Sequence, residues 1–362
     1  MKLLSIINTP AQAHTWKNIL KEFRFNGSVI KVIARDYGST PKILEESGFQ
    51  CDVFKPFGAR SSRLFGVLGH LQKCYRLSQG FEPTMVTGFG LDAAITATRL
   101  GTPCIVFIDD EPTHFQNSVT GLLASAVISP DNFKQGLGEK HVLVNSYKEL
   151  AYLHPKYFEP DVTIFDELGI EKGEKYSIVR INVWDAVHDI GERGFSVSDQ
   201  FELVKELEKY SRVFISPEGA LPEELEKYRL VIPYNRIHHA LHYAQLLVTD
   251  TQTMATEAAI LGTPAVRSNS FVGPNDMSNF IELEQRYDLI YSLREPGQAI
   301  RKAMELIKKA DLKEVWAQKR LRLLEEKIDL TRFMVDFIQN FPESLREYQE
   351  TGLNYQQIGV KS

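Results

Sequence analysis

The chain is expected to fold as an α/β protein of two doubly wound parallel-sheet domains facing a cleft, and three observations lead there. Short apolar runs alternate with helical patterns through both halves of the sequence. At 362 residues the chain is too long for one ordinary core and fits two domains of common size. In the second half a polar strand-to-helix turn carries a lone carboxylate one turn inside the following helix. Strands that alternate with helices imply parallel sheets covered on both faces.

In the first half the strand-like runs are 3–7, 29–34, 51–54, 84–87, 104–108, 126–129 and 142–144. In the second half they are 178–180, 213–216, 230–232, 246–249, 265–267 and 289–291. Pro155, Pro160 and Gly173 punctuate a charged, weakly periodic stretch between the halves. This predicts a first domain over 1–160, a second over 161–345 that includes terminal helices, and a polar tail over 346–362. The stretch 298–341 reads as successive helices, and the charge run 313–327 reads as a solvated helix face. Ligands of such folds bind beyond the carboxyl ends of the strands.

Composition narrows the functions. With 43% hydrophobic and 25% charged residues the chain resembles an ordinary globular protein. A net charge of -5 argues against a nucleic-acid partner held by phosphate contacts, so any anion site must be local. No run approaches a transmembrane segment, and the apolar N-terminus is too short for a signal-peptide core, so a cytoplasmic location is expected. Three cysteines without CxxC spacing predict neither a disulfide framework nor a zinc site.

The run Thr249-Asp250-Thr251-Gln252-Thr253-Met254-Ala255-Thr256-Glu257 is the most informative stretch. A helix start leaves backbone N–H groups unpartnered at the positive end of the macrodipole, so an anion is stabilised there without a lysine. Thr251 or Thr253 is expected to cap the helix or to turn its hydroxyl to phosphate. Glu257, four residues past Thr253 on the same face, can accept hydrogen bonds from two sugar hydroxyls. Gly262 ends the helix and Thr263-Pro264 leads into the next strand. A plain cap with a first-turn acid would give the same local pattern.

Other candidates stand at predicted strand ends. His14 follows strand one and suits a general base for a sugar hydroxyl, with capping or packing as its alternative. Asp109-Asp110-Glu111 follows strand five, and three adjacent acids need a donor, a metal or a substrate. In the second half Arg180 could pair with phosphate, His188 could hydrogen-bond it, and Glu218 could hold a base or ribose group. His238 and His242 share a helical face, but the HExxH glutamate is absent, so no metal is expected. Gly88-Phe89-Gly90 allows a close backbone approach, and no Walker loop, G-x-S-x-G elbow or kinase signature is present.

Together, the two Rossmann-like sheets and the Glu257 helix resemble the GT-B fold of many glycosyltransferases and of UDP-N-acetylglucosamine 2-epimerase. The epimerase phosphate turn looks like Thr249-Asp250 through Glu257-Ala258, with Gln252 and Thr253 in place of its two glycines. A GT-B-like family of archaea and bacteria, described as a domain of unknown function, is closer. Its patterns are similar to His14-Thr15-Trp16-Lys17-Asn18, Ala34-Arg35-Asp36, Trp184-Asp185-Ala186-Val187-His188-Asp189-Ile190-Gly191, Ser216-Pro217-Glu218, Ile237-His238-His239 and Gln252-Thr253-Met254-Ala255-Thr256-Glu257-Ala258-Ala259.

The GT-B resemblance implies that Glu257 holds the nucleotide ribose. The acids by which the epimerase moves the C2 proton do not carry over to Gly88-Phe89-Gly90 or Thr113-His114-Phe115-Gln116-Asn117, which ranks epimerisation below glycosyl transfer. The expectation is a glycosyltransferase of surface polysaccharide or glycoconjugate synthesis. Its donor would be a nucleotide sugar, UDP-linked, used as substrate without a further cofactor, and its acceptor a glycan or lipid-linked molecule. Diphosphate would sit at Gln252, Thr253 and Met254, and ribose on Glu257. Arg180, His188, Glu218 and His238 would line the same half, with His14 as base and Asp110 as orienting acid. A 2-epimerase or hydrolase, and a catalytically silent nucleotide-sugar-binding protein, are the alternatives.

Overall fold

A computed structural model describes residues 1–55, 63–182 and 194–351. The chain runs β1 (Lys2–Ile7), α1 (Pro10–Phe25), β2 (Val29–Arg35), α2 (Thr40–Glu46), β3 (Cys51–Phe54), α3 (Arg63–Ser78), β4 (Met85–Phe89), α4 (Gly90–Leu100), β5 (Cys104–Phe107), α5 (His114–Leu123), β6 (Ala126–Pro130), β7 (His141–Val144) and α6 (Leu150–Leu153). It continues through α7 (Ile164–Glu167), β8 (Tyr176–Ile181), α8 (Val197–Leu207), β9 (Arg212–Pro217), α9 (Ile237–Tyr243), β10 (Leu246–Thr249), α10 (Thr253–Leu261), β11 (Ala265–Arg267), α11 (Ser278–Gln285), β12 (Ile290–Ser292), α12 (Pro296–Ile307) and α13 (Leu312–Glu326). It closes with α14 (Leu330–Gln339) and α15 (Glu343–Thr351). Two compact units result: Met1–Tyr157 with Lys327–Ser362, and Phe158–Glu326.

The first unit is built on a seven-stranded sheet of order β3-β2-β1-β4-β5-β6-β7, parallel throughout. Its central strands are apolar on both faces because helices cover both: β4, β5 and β6 are buried along their whole length. Thr9 caps α1 by accepting the Gln12 amide at 3.3 Å, with Pro10 at the first helical position. Trp16, Ile19, Leu20 and Phe23 then bury one face of α1 at helical spacing. Where β1 meets β4, Ile6 lies opposite Gly88. A Cβ on Gly88 would stand 2.4 Å from the Ile6 carbonyl oxygen, and its φ of +153° is one that L side chains rarely adopt.

The second unit carries a five-stranded parallel sheet of order β12-β11-β10-β8-β9. Residues 230–232, expected as a strand, do not form one. The segment makes an isolated bridge through Ile215 and Arg229, with the Leu230 amide donating to the Ile215 carbonyl at 2.7 Å. It lies between 3₁₀ turns at Glu223–Tyr228 and Tyr234–Arg236, and Pro233 has no N–H with which to continue a ladder.

Two expectations about the C-terminal third change. The terminal helices were expected on the second domain, but α14 and α15 pack on the first unit. Leu330, Phe333, Met334, Phe337 and Ile338 are buried, Thr331 donates to the Ala151 carbonyl at 2.9 Å, and the Leu143 amide on edge strand β7 donates to the Tyr348 hydroxyl at 2.9 Å. Residues 346–351 of the expected polar tail therefore belong to a helix that covers a sheet edge, and 352–362 lie outside the described residues. The charge run on α13 is also less solvated than its composition suggests. Lys313 donates to the carbonyls of His242 (2.8 Å) and Ala244 (3.0 Å), and Arg320 to that of Ile260 (2.6 Å). Two cations of α13 thus satisfy the C-terminal carbonyls of α9 and α10.

Gly88→Ala is expected to destabilise the protein by about 2–4 kcal/mol, because backbone rather than a flexible side chain must give way. Urea unfolding followed by circular dichroism measures this, and a loss below the error of the midpoint would refute the close approach.

Candidate functional site

In the second sheet β8 comes first in the chain, β9 is added on one side and β10 on the other. The chain therefore reverses its direction of growth between β8 and β10, and a reversal of this kind opens a crevice beyond their carboxyl ends. Asp250, 1% exposed, sits in that crevice. One carboxylate oxygen accepts the Asn182 amide at 2.8 Å, the other accepts the Phe195 amide at 3.4 Å, and its carbonyl accepts Asn269 Nδ2 at 3.0 Å. Asp250 is the brace of the turn, a role that its place in the sequence did not reveal.

The turn itself closes on Thr249, whose Oγ1 accepts the Thr251 amide at 2.9 Å and lies 2.8 Å from Thr251 Oγ1. The threonine cap expected for α10 is absent. Gln252 occupies the cap position without a side-chain cap hydrogen bond, because the Thr251 hydroxyl is committed to Thr249. Among the described residues the amides at the start of α10 thus receive no side-chain acceptor, and Gln252 and Thr253 are partly exposed beside them. At the far end Gly262 stops the helix at φ +75° as expected.

One turn inside α10, Glu257 is 6% exposed and His238 on α9 is 3% exposed. His238 Nε2 lies 2.9 Å from Glu257 Oε1. A carboxylate at this depth is costly unless its oxygens are hydrogen-bonded, and the imidazole N–H supplies one bond while fixing the direction of the group. Phe158 meets the His238 ring edge-on at 6.2 Å, and stands 4.8 Å from His239, whose Nδ1 accepts the Asp161 amide at 3.0 Å. His242 turns elsewhere, its Nδ1 donating to the Leu261 carbonyl at 3.2 Å. The two histidines four residues apart therefore serve different partners.

Arg180 and Glu218, both expected at the site, form an ion pair of 2.5 Å at the ends of β8 and β9, and Arg180 also donates to Ser216 Oγ at 3.0 Å. His188 lies outside the described residues. In the first unit His14 is 8% exposed and stacks on Tyr152 at 5.1 Å. The Lys17 ammonium, which has only donors, stands 3.2 Å from His14 Nδ1, so that nitrogen accepts. Of the three acids after β5, Asp109 is bound by Lys148, Glu111 accepts the Lys134 amide at 2.8 Å, and Asp110 is exposed. Burial disfavours the charge on Lys148, and the adjacent carboxylates of Asp109 and Glu149 reverse that effect and hold it protonated.

Burial, reinforced by the Lys313 and Arg320 cations, pushes the His242 imidazole from 6.5 down to about 4. The folded value lies below the unfolded one, so the unfolded chain binds the proton more tightly, and stability is lost as pH falls from 6.5 towards 4. This group is expected to remove up to about 3 kcal/mol over that interval. His242→Asn keeps an N–H for Leu261, and urea melts across the interval should show a shallower pH dependence. An unchanged dependence would mean that the ring is not buried in its neutral form.

Among the described residues no helix is long and apolar enough to cross a membrane. No curated protein matches the chain. Solved structures do. S. aureus MnaA in a UDP co-structure is 13% identical, with 95% of this chain and 98% of that one covered, at a TM-score of 0.70. UDP-GlcNAc 2-epimerase from Neisseria meningitidis, bound to UDP-GlcNAc, is 14% identical over 94% and 100%, at 0.64. MurG from Acinetobacter baumannii is 14% identical over 94% and 100%, at 0.58. With the two parallel sheets these likenesses identify the fold as GT-B. A family model covers residues 3–343, and the chain belongs to the family described as Protein of unknown function (DUF354).

Proposed function

We propose that the protein is a GT-B-type glycosyltransferase whose second unit binds a nucleotide-activated sugar, UDP-linked, for surface polysaccharide or glycoconjugate synthesis. The observation that carries this reading is the buried Glu257–His238 pair one turn behind the uncapped start of α10. A diphosphate meets the amides around Gln252, Thr253 and Met254 at the positive end of the helix, and the side chains of Gln252 and Thr253 add donors. Glu257, aimed by His238, accepts from the ribose hydroxyls. Arg180, paired with Glu218, supplies a cation at the adjoining strand ends and helps stabilise charge on the leaving diphosphate. UDP and UDP-GlcNAc stand in the names of structures that share the fold, which favours a uridine nucleotide.

A second reading, 2-epimerisation or hydrolysis of the same sugar nucleotide, is favoured by the fold likeness to proteins named UDP-GlcNAc 2-epimerases. Release of UDP that depends on an added acceptor separates transfer from both.

Isothermal titration with UDP tests the site. Glu257→Gln and His238→Ala are each expected to weaken binding at least tenfold, about 1.4 kcal/mol, with the fold retained by circular dichroism. Absence of UDP binding by the wild type, or unchanged affinity in both variants, would remove the donor site from α10.

A further inference from the structure

Strand pairing in the second sheet sets a polar row across its carboxyl end. Arg180 on β8 lies opposite Ser216 on β9 and Thr249 on β10, Thr249 lies opposite Arg267 on β11, and Arg267 lies opposite Ser292 on β12. Side chains alternate along a strand, so residues opposite one another in parallel strands share a face. The two arginines therefore flank Thr249 on one side of the sheet, and the Thr249 hydroxyl holds the turn into α10.

Each arginine meets a carboxylate from the loop after a neighbouring or its own strand, and the two pairs are built differently. Arg267 is 0% exposed, is bonded by Asp276 and has its guanidinium 3.7 Å from the Phe280 ring. Both members of that pair are sealed, and removing either would leave a buried charge uncompensated, so the pair is a fixed part of the fold. Arg180 and Glu218 instead keep 22% and 42% of their side chains exposed. A pair exposed to this degree adds little to stability and can exchange partners.

The local sequence places Glu218 on that cation. The strand period puts Glu218 on the same face as Ser216, and its amide donates to the Ile181 carbonyl at 2.9 Å, which carries the β8–β9 ladder one residue past Pro217. Its carboxylate then meets Arg180 Nη2 at 2.5 Å, while Nη1 donates to Ser216 Oγ at 3.0 Å and to the Ser216 carbonyl at 3.3 Å. Ser216 thus orients the guanidinium without help from Glu218, and loss of the carboxylate leaves the cation in place with Nη2 free. The arrangement is that of a cation whose anion position is filled by a residue of the chain itself, on the strand beside the one that leads into α10.

We infer that Glu218 is an internal competitor of the donor diphosphate. Its carboxylate fills the anion position on Arg180 while the site is free, yields it to a phosphate oxygen when the nucleotide binds, and takes it back as the nucleoside diphosphate leaves. The inference rests on the donor site proposed above and adds the regulation of that site. A diphosphate carries more charge than one carboxylate and also meets the amides at the start of α10, so it displaces Glu218. Part of its binding energy is consumed in the exchange, so Glu218 weakens the hold on donor and product alike.

The full chain is titrated calorimetrically with UDP, and circular dichroism checks the fold of each variant. Glu218→Gln keeps the shape of the side chain and removes its charge, and is expected to lower the UDP Kd three- to tenfold. A residue that only supports the fold, or that holds the base or ribose, would shift the affinity in the opposite direction. Arg180→Gln is expected to raise the Kd at least tenfold, and in that background Glu218→Gln is expected to change it less than threefold, because no cation remains to be released. A Kd that falls by less than threefold or rises in Glu218→Gln, unchanged binding in Arg180→Gln, or a gain of threefold or more in the double variant each overturns the inference. Wild-type binding of UDP with no gain in Glu218→Gln leaves the donor reading standing and removes this one alone, whereas failure of the wild type to bind UDP removes both.

Discussion

In each unit the sheet starts from a strand that ends up in its interior, and the two directions of growth part beside it. Where crossovers run in opposite directions from such a strand, a crevice opens beyond its carboxyl end, with backbone amides and carbonyls facing it. Those amides and carbonyls must be satisfied by side chains or by a ligand. In the second unit the Asp250 carboxylate does this, joining the ends of β8 and β10 to the amide of Phe195, while Asn269 holds its carbonyl. The position of α10, and with it of Glu257, depends on this brace.

Helix α10 is held asymmetrically. Its C-terminal end is closed by Gly262 in the left-handed conformation and by the Arg320 side chain on the Ile260 carbonyl. Its N-terminal end follows a turn held by Asp250 and by the Thr249–Thr251 contact, and among the described residues the cap position makes no side-chain cap hydrogen bond. The helix body is buried throughout from Met254 to Leu261, so the carboxylate of Glu257 is desolvated and is met there by His238. A helix fixed at one end, with donors exposed at the other and an oriented acid behind them, suits an anionic ligand that carries hydroxyl groups.

Much of this was legible in the residues. Twelve of the strand runs read from apolar patterning correspond to strands of the two sheets, and Gly262 marks the end of α10. The site was legible in part: Glu257, His238, Arg180 and Glu218 were each picked out singly, but their pairing was not. The partners stand 19 and 38 residues apart, and nothing in local spacing selects one partner over another. Thr251 looked like a cap because its type favours caps, yet Thr249 took its hydroxyl. His14 was picked out by its place after β1, and its stack on Tyr152 became visible only in the fold.

The sequence by itself determined the alternation of strands and helices, the polar turn before α10 and the acid one turn inside it. These follow from side-chain period, glycine and proline placement and turn chemistry, which act over a few residues. Only the tertiary structure decided that 327–351 return to the first unit, that the cations of α13 serve as helix caps, that 230–232 stay out of the sheet, and that Asn8 meets Asp92 while His238 meets Glu257. Each of these depends on burial and on hydrogen-bond partners distant in sequence, which exist only once the sheets have assembled.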